Sequence, residues 1–126
     1  MLLEIDYHNG IPIYRQIIDQ IRRQIMAGLL HEGQQLSSVR ELAAQLHVNP
    51  MTISKAYVIL ESEGLLERRR GIGLFVAKLP VAYKSKAQDK ILKEILKQAV
   101  VSAVQFGIPE KQMIAIVNKF YKKFST

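Results

Sequence analysis

Two clusters of side chains in this sequence carry groups suited to holding a polyanion. The first comprises Arg40, Asn49, Met51, Thr52, Ser54 and Lys55, which put a guanidinium, an amide, two hydroxyls and an ammonium within a short stretch of chain. The second is Arg68-Arg69-Arg70, followed at once by Gly71. Arginine's planar fork meets two acceptors together, on a phosphate or on a guanine edge, whereas lysine acts as a point charge. Adjacent arginines repel one another unless something anionic meets them, and Gly71 and Gly73 permit positive φ and close backbone approach. A charge run alone is usually a solvated face and a lone GxG is a weak signal, so these groups acquire meaning only from the elements that carry them.

Those elements have explicit local signals. Ser38 stands three residues before Glu41, so hydroxyl and carboxylate can cap each other's backbone amides, and a helix should begin near Ser38. Val39, Leu42, Ala43 and Leu46 follow at helical spacing until His47-Val48. A second helix opens almost immediately, with Asn49 as N-cap and Pro50 in the first position, and closes at Gly64 as a left-handed cap. So short a link forces the two helices to cross steeply. On the second of them Ile53, Ala56, Tyr57 and Leu60 share one face, while Met51 and Lys55, flanked by Thr52 and Ser54, lie on the other. A recognition helix reads base edges with its N-terminal turns, where Asn49, Met51, Thr52 and Lys55 fall. Leu65 to Arg70, Gly71-Ile72-Gly73 and Leu74-Phe75-Val76 then read as a short hairpin with arginines at its tip. Helix, turn, helix and basic hairpin in that order point to a winged helix that binds double-stranded DNA.

Upstream, Pro12 starts a helix whose stripe of Tyr14, Ile17, Ile18, Ile21 and Ile25 closes the core. Beyond Pro80 a basic linker leads to two further helices, Ala87 to about Phe106 and Glu110 to Phe124, separated by Gly107-Ile108-Pro109. The expected fold is therefore mostly α with a small β-hairpin wing: a winged helix-turn-helix head over residues 1–79 and a two-helix tail over residues 80–126. Ile91, Leu92, Ile95, Leu96, Ala99 and Val100 line the first tail helix, and Ile114, Val117, Phe120, Tyr121 and Phe124 the second. Two short amphipathic helices cannot bury such stripes in each other alone. The economical partner is the same tail of a second copy, giving a two-fold homodimer; the alternative is a tail folded back on its own head.

Composition bounds the remaining possibilities. The 126 residues carry a formal net charge of +7, yet through Pro80 nine basic residues face eight acidic ones, and from Val81 onward nine lysines face three acids. The head's positive field must therefore be local, and most tail lysines read as solvated helix surface. No cysteine is present, and His8, His31 and His47 share no ligand spacing, so neither a metal nor a cofactor is expected. No nucleophile stands beside a histidine and an acid, there is no P-loop, and Gly-Ile-Gly-Leu does not open a helix, which leaves no catalytic residue to name. No membrane span or secretion signal is visible, so a cytoplasmic protein is expected.

The segment Leu36–Val76 resembles the DNA-binding domain of GntR-type bacterial transcription regulators, whose SVRELA, VNxxT and AYxxLExEGLLExRRGxGxFV patterns it matches almost throughout. Pro12 to Ile17 is similar to the family's PxYxQI opening. Two departures are Ser37, where the family usually has proline, and Leu74, where it usually has a small hydroxyl residue. The resemblance implies that Arg40 reaches the DNA, that Asn49, Met51, Thr52, Ser54 and Lys55 occupy recognition-helix positions, and that Arg69, Arg70 and Gly71 form the wing tip. Arg40 could instead pair on the helix surface with Glu41 or another neighbour. The short tail is similar to the YtrA subfamily, in which a two-helix dimerisation unit replaces a larger effector domain. That likeness implies a homodimeric repressor on a pseudo-palindromic operator, often one governing a transporter operon. A small-molecule effector, if one exists, would sit between the tail helices or at the head–tail junction, near Phe106, Phe120, Tyr121 and Phe124. The competing function is a winged-helix module for protein or RNA that lacks sequence-specific DNA binding.

Overall fold

Pro12 sets the start of the first helix, its carbonyl accepting from the amides of Arg15 and Gln16 at 3.1 and 3.2 Å. Helix α1 (Ile13–Met26) buries Ile17, Ile18, Ile21, Ile25 and Met26, the face its apolar period predicts. This computed structural model describes residues 2–125. Residues 2–12, before α1, are neither helix nor strand, but they are bound to α1 by three glutamines spaced four apart. Gln16 and Gln20 each exchange a pair of hydrogen bonds with the backbone of Asp6 and Glu4, respectively, at 2.6–2.9 Å, and Gln24 donates to the carbonyl of Leu2 at 2.6 Å. The match is geometric: two extended residues advance about 6.7 Å and four helical residues about 6.0 Å, so alternate backbone positions meet successive turns.

Helix α2 (Val39–Leu46) begins with the expected reciprocal cap: Glu41 N donates to Ser38 Oγ at 3.0 Å and Ser38 N to Glu41 Oε1 at 3.2 Å. It stops at His47, which takes the left-handed conformation at φ 54°, a geometry that histidine tolerates better than most non-glycine residues. Asn49 then caps helix α3 (Pro50–Ser62), its Oδ1 accepting from Met51 N at 2.8 Å. Ile53, Ala56, Tyr57 and Leu60 are buried against α1 and α2. The last helical residue is Ser62 and Glu63 the C-cap, and Gly64 at φ +79° is the left-handed cap that the sequence predicts, its amide donating to Glu61 O at 3.0 Å and that of Leu65 to Leu60 O at 3.1 Å.

Strands β1 (Leu66–Arg69) and β2 (Gly73–Val76) pair antiparallel, with Leu66 opposite Val76 and Arg69 opposite Gly73. A third backbone strip, absent from the sequence expectation, extends this wing. Gly33 N donates to Val76 O, Val76 N to Gln34 O and Leu36 N to Leu74 O, at 2.8–2.9 Å. Residues 33–36 thus occupy β2's outer edge and anchor the hairpin to the segment entering α2.

By internal contacts the chain forms two units, Met1–Gln88 and Asp89–Thr126. Helix α4 (Val81–Gln105) begins six residues before the expected Ala87, immediately after Pro80, whose carbonyl accepts from Lys84 N at 3.0 Å. The supposed basic linker contains no glycine or further proline, so nothing in residues 81–87 opposes the helix. Within the first unit Gln88 Nε2 donates to the carbonyl of Met26. In the second unit α4 ends at Gly107 (φ +72°), and helix α5 (Glu110–Phe124) follows Pro109. Ala103 is the one buried residue on α4 among the described residues, and α5 has none.

Candidate nucleic-acid interface

The packing of α3 determines what it can offer outward. Tyr57 is 2% exposed and its hydroxyl donates to Ser37 O at 2.7 Å, tying α3 to the approach of α2. Burial, with a smaller effect from the Glu41 charge, pushes this phenol well above the ordinary tyrosine range, so it stays a hydrogen-bond donor. With that face occupied, the opposite side of the first turns is open. Met51 is 78% exposed, Ser54 and Lys55 are exposed, and Thr52 is half-buried. Asn49 spends its side-chain oxygen on the cap, so its amide nitrogen is the group it can direct elsewhere.

Arg40 is exposed on α2 and makes no ion pair among the described residues. Glu41, its expected alternative partner, is committed to Ser38, whose side-chain and then backbone hydrogen bonding holds the Glu41 carboxyl below its ordinary 4.5. The capping box therefore leaves the neighbouring guanidinium free.

The three wing arginines are not equivalent. Arg68 pairs with Glu61 of α3, Nη2 to Oε1 at 3.2 Å. Arg69 lies over the Phe75 ring, its Cζ 4.0 Å from the centroid. Arg70, with Gly71 at φ +76°, occupies the turn and has neither an ion-pair nor an aromatic partner among the described residues. Gln35 supports this turn from below, Nε2 donating to Ile72 O at 3.0 Å. Gly73 leaves room for that amide: a Cβ there would stand 2.9 Å from Gln35 Nε2, and the backbone sits at φ +142°. A cleft of about 320 Å³ between α2's start and the wing is lined by polar and apolar residues that include Ser37, Ser38, Val39, Arg68, Ile72 and Leu74.

Four supporting residues escape a reading by periodicity: Tyr14 beneath Lys55, Glu61 beside Arg68, Phe75 beneath Arg69, and Gln35. Lys55 Nζ stands 3.9 Å from the Tyr14 ring centroid. Tyr14 belongs to the apolar stripe of α1 in the sequence but is only half-buried. Each of these contacts joins separate elements, and only the Tyr14 position had a signal, its place in the PxYxQI opening.

In the tail unit the expected interface residues Leu92, Ile95, Leu96, Val100, Ile114, Phe120, Tyr121 and Phe124 are between 42% and 72% exposed. Ala99 is exposed, and Ile91 and Val117 are half-buried. Phe120, Tyr121 and Phe124 share an open hollow of about 300 Å³ with Ser125; Phe106 does not line it. Among the described residues no cluster of acids and histidines could hold a metal ion, and no helix is long and apolar enough to cross a membrane.

Comparison with known proteins places this arrangement. Residues 13–76 match the sequence model of the bacterial regulatory proteins of the gntR family. The HTH-type transcriptional repressor YtrA of Bacillus subtilis is 37% identical over 107 residues, covering 85% of this chain and 82% of that protein. A GntR family transcriptional regulator from Listeria monocytogenes is similar in structure, with a TM-score of 0.74 at 33% identity over 90% of this chain and 98% of the other. The DNA-binding domain of AraR, solved in complex with operator ORX1, aligns with a TM-score of 0.55 at 33% identity, covering 61% of this chain and 99% of that domain. Members of this family are transcriptional regulators rather than enzymes. With its winged helix-turn-helix head and short helical tail, the chain belongs to the GntR family of bacterial transcription regulators, in a YtrA-like subfamily.

Proposed function

We propose that this regulator is a homodimeric, sequence-specific repressor, acting in the cytoplasm on a pseudo-palindromic operator that governs a transporter operon. The observation that carries the dimer is the tail: α5 buries none of its described residues, and Leu92, Ile95, Leu96, Phe120 and Phe124 stand exposed on two amphipathic helices. A second copy of the same surface covers them by symmetry, because a two-fold interface is self-complementary. Two α3 helices related by that axis would enter successive major grooves about 34 Å apart. Arg40, the α3 cap Asn49 and the α3 residues Met51, Thr52 and Ser54 then face bases, and Lys55, Arg69, Arg70 and Gly71 face phosphates. The description of the Bacillus relative as a repressor supports the sign of regulation.

The test is a fluorescence-anisotropy titration of the full chain against the DNA upstream of its own operon and against a scrambled duplex, at two salt concentrations. The expected result is at least a roughly 10³-fold preference for the upstream DNA that survives the higher salt. Equal, salt-erased binding to both duplexes overturns autoregulation through that DNA, and genome-wide pull-down without an enriched sequence overturns sequence-specific repression altogether.

A further inference from the structure

Lys55 is held differently from two other cations of the same unit. Arg22 is paired with Glu63 at 2.7 Å and Arg68 with Glu61 at 3.2 Å, so each is positioned by a carboxylate that cancels its charge. Lys55 has no carboxylate partner among the described residues; its ammonium lies 3.9 Å from the centroid of the Tyr14 ring. An aromatic face attracts a cation through its quadrupole and leaves the net charge intact. It also restrains a side chain with several freely rotating bonds, whose ordering otherwise opposes each contact it makes. Helix α1 fixes the ring, because Ile17 and Ile18 beside it are buried at 0% and 6% exposure. The Tyr14 hydroxyl has no hydrogen-bond partner among the described residues, and the ring face is the part of this side chain that Lys55 meets.

We propose that Tyr14 is a positioning residue for DNA binding: its ring seats the Lys55 ammonium, undiminished in charge, on the open side of α3, ready for a phosphate oxygen. The proposal rests on the reading that this side of α3 meets DNA. It assigns a binding role to a helix α1 residue whose place on the apolar stripe reads as core.

The experiment measures anisotropy of a short scrambled duplex with the full chain at low salt, because a phosphate contact is independent of sequence. Tyr14→Leu is expected to weaken binding about two- to five-fold, and Tyr14→Phe to bind as the wild type does. Lys55→Met is expected to lower the slope of log affinity against log salt by about 0.9, and adding Tyr14→Leu to it should change nothing further. If Tyr14→Leu does not fold, phenylalanines of increasing fluorination at position 14 keep the shape while draining the ring's charge, and affinity should fall stepwise. Wild-type affinity in Tyr14→Leu, equal weakening with and without Lys55, or indifference to fluorination overturns the positioning role while leaving the Lys55 contact standing. An unchanged salt slope in Lys55→Met overturns the underlying placement of α3 on DNA, and the proposal with it.

Discussion

Arg40 and Arg70 differ in their surroundings, and the difference sets what truncation of each should cost. Arg40 projects from a helix whose first turn is locked by the Ser38–Glu41 cap, so a rigid backbone aims its fork. Arg40→Ala should cost about 1–3 kcal/mol of operator affinity and relax preference at one base position, read by anisotropy against single-base operator variants. Arg70 sits in a turn, and with the phosphate role proposed for it above, Arg70→Ala should weaken specific and scrambled DNA alike and reduce the salt slope by about one. Identical behaviour of the two variants would merge the roles assigned to them. The cap itself is pH-sensitive in a definite direction. Hydrogen bonding holds the Glu41 carboxyl below its ordinary 4.5, so its contribution to stability is present above that value and is lost as pH falls through the lowered folded value. Denaturant melts of wild type and Glu41→Gln should converge as the pH is taken below 4.5 and separate above it.

At the scale of elements, the wing depends on its glycine. Gly73→Ala forces a positive φ on a side chain and presses a methyl into the Gln35 amide that holds the turn, and should destabilise the fold by about 1–3 kcal/mol. Thermal melting checks the stability, and DNA affinity measured well below the melting temperature should still fall as the turn shifts. What could be read from sequence divides along the same line as this contact. Helices α2 and α3 were legible because their caps, Ser38 with Glu41 and Asn49 with Pro50, act over two or three residues. The hairpin was legible from its glycines. The strip at residues 33–36 was not, since its pairing to β2 depends on residues some forty positions away. The start of α4 is hidden because a lysine-bearing segment resembles a solvated linker, although it lacks any helix breaker. In the candidate site, the open face of α3 followed from its period, whereas the Glu61, Phe75 and Tyr14 contacts that separate one cation from the next are tertiary.

At the scale of the whole molecule, the dimer proposed above turns on the tail. Ile95 is 47% exposed near the middle of α4, and Ile95→Asp would place a charge where an apolar seam is expected. Sedimentation should show this variant as a monomer, and operator binding should weaken most at low protein concentration, since both half-sites must then be filled independently. A dimer that survives the substitution would shift the interface to another face. The opposite end of the chain invites a different expectation. The glutamines at 16, 20 and 24 give residues 2–6 the hydrogen bonds of a sheet without a neighbouring strand. Deuterium should therefore reach the amides of Glu4 and Asp6 more slowly than those of unbonded terminal residues, and faster again in Gln16→Ala and Gln20→Ala. Their exchange would report how firmly these side chains hold a stretch of chain with no regular secondary structure.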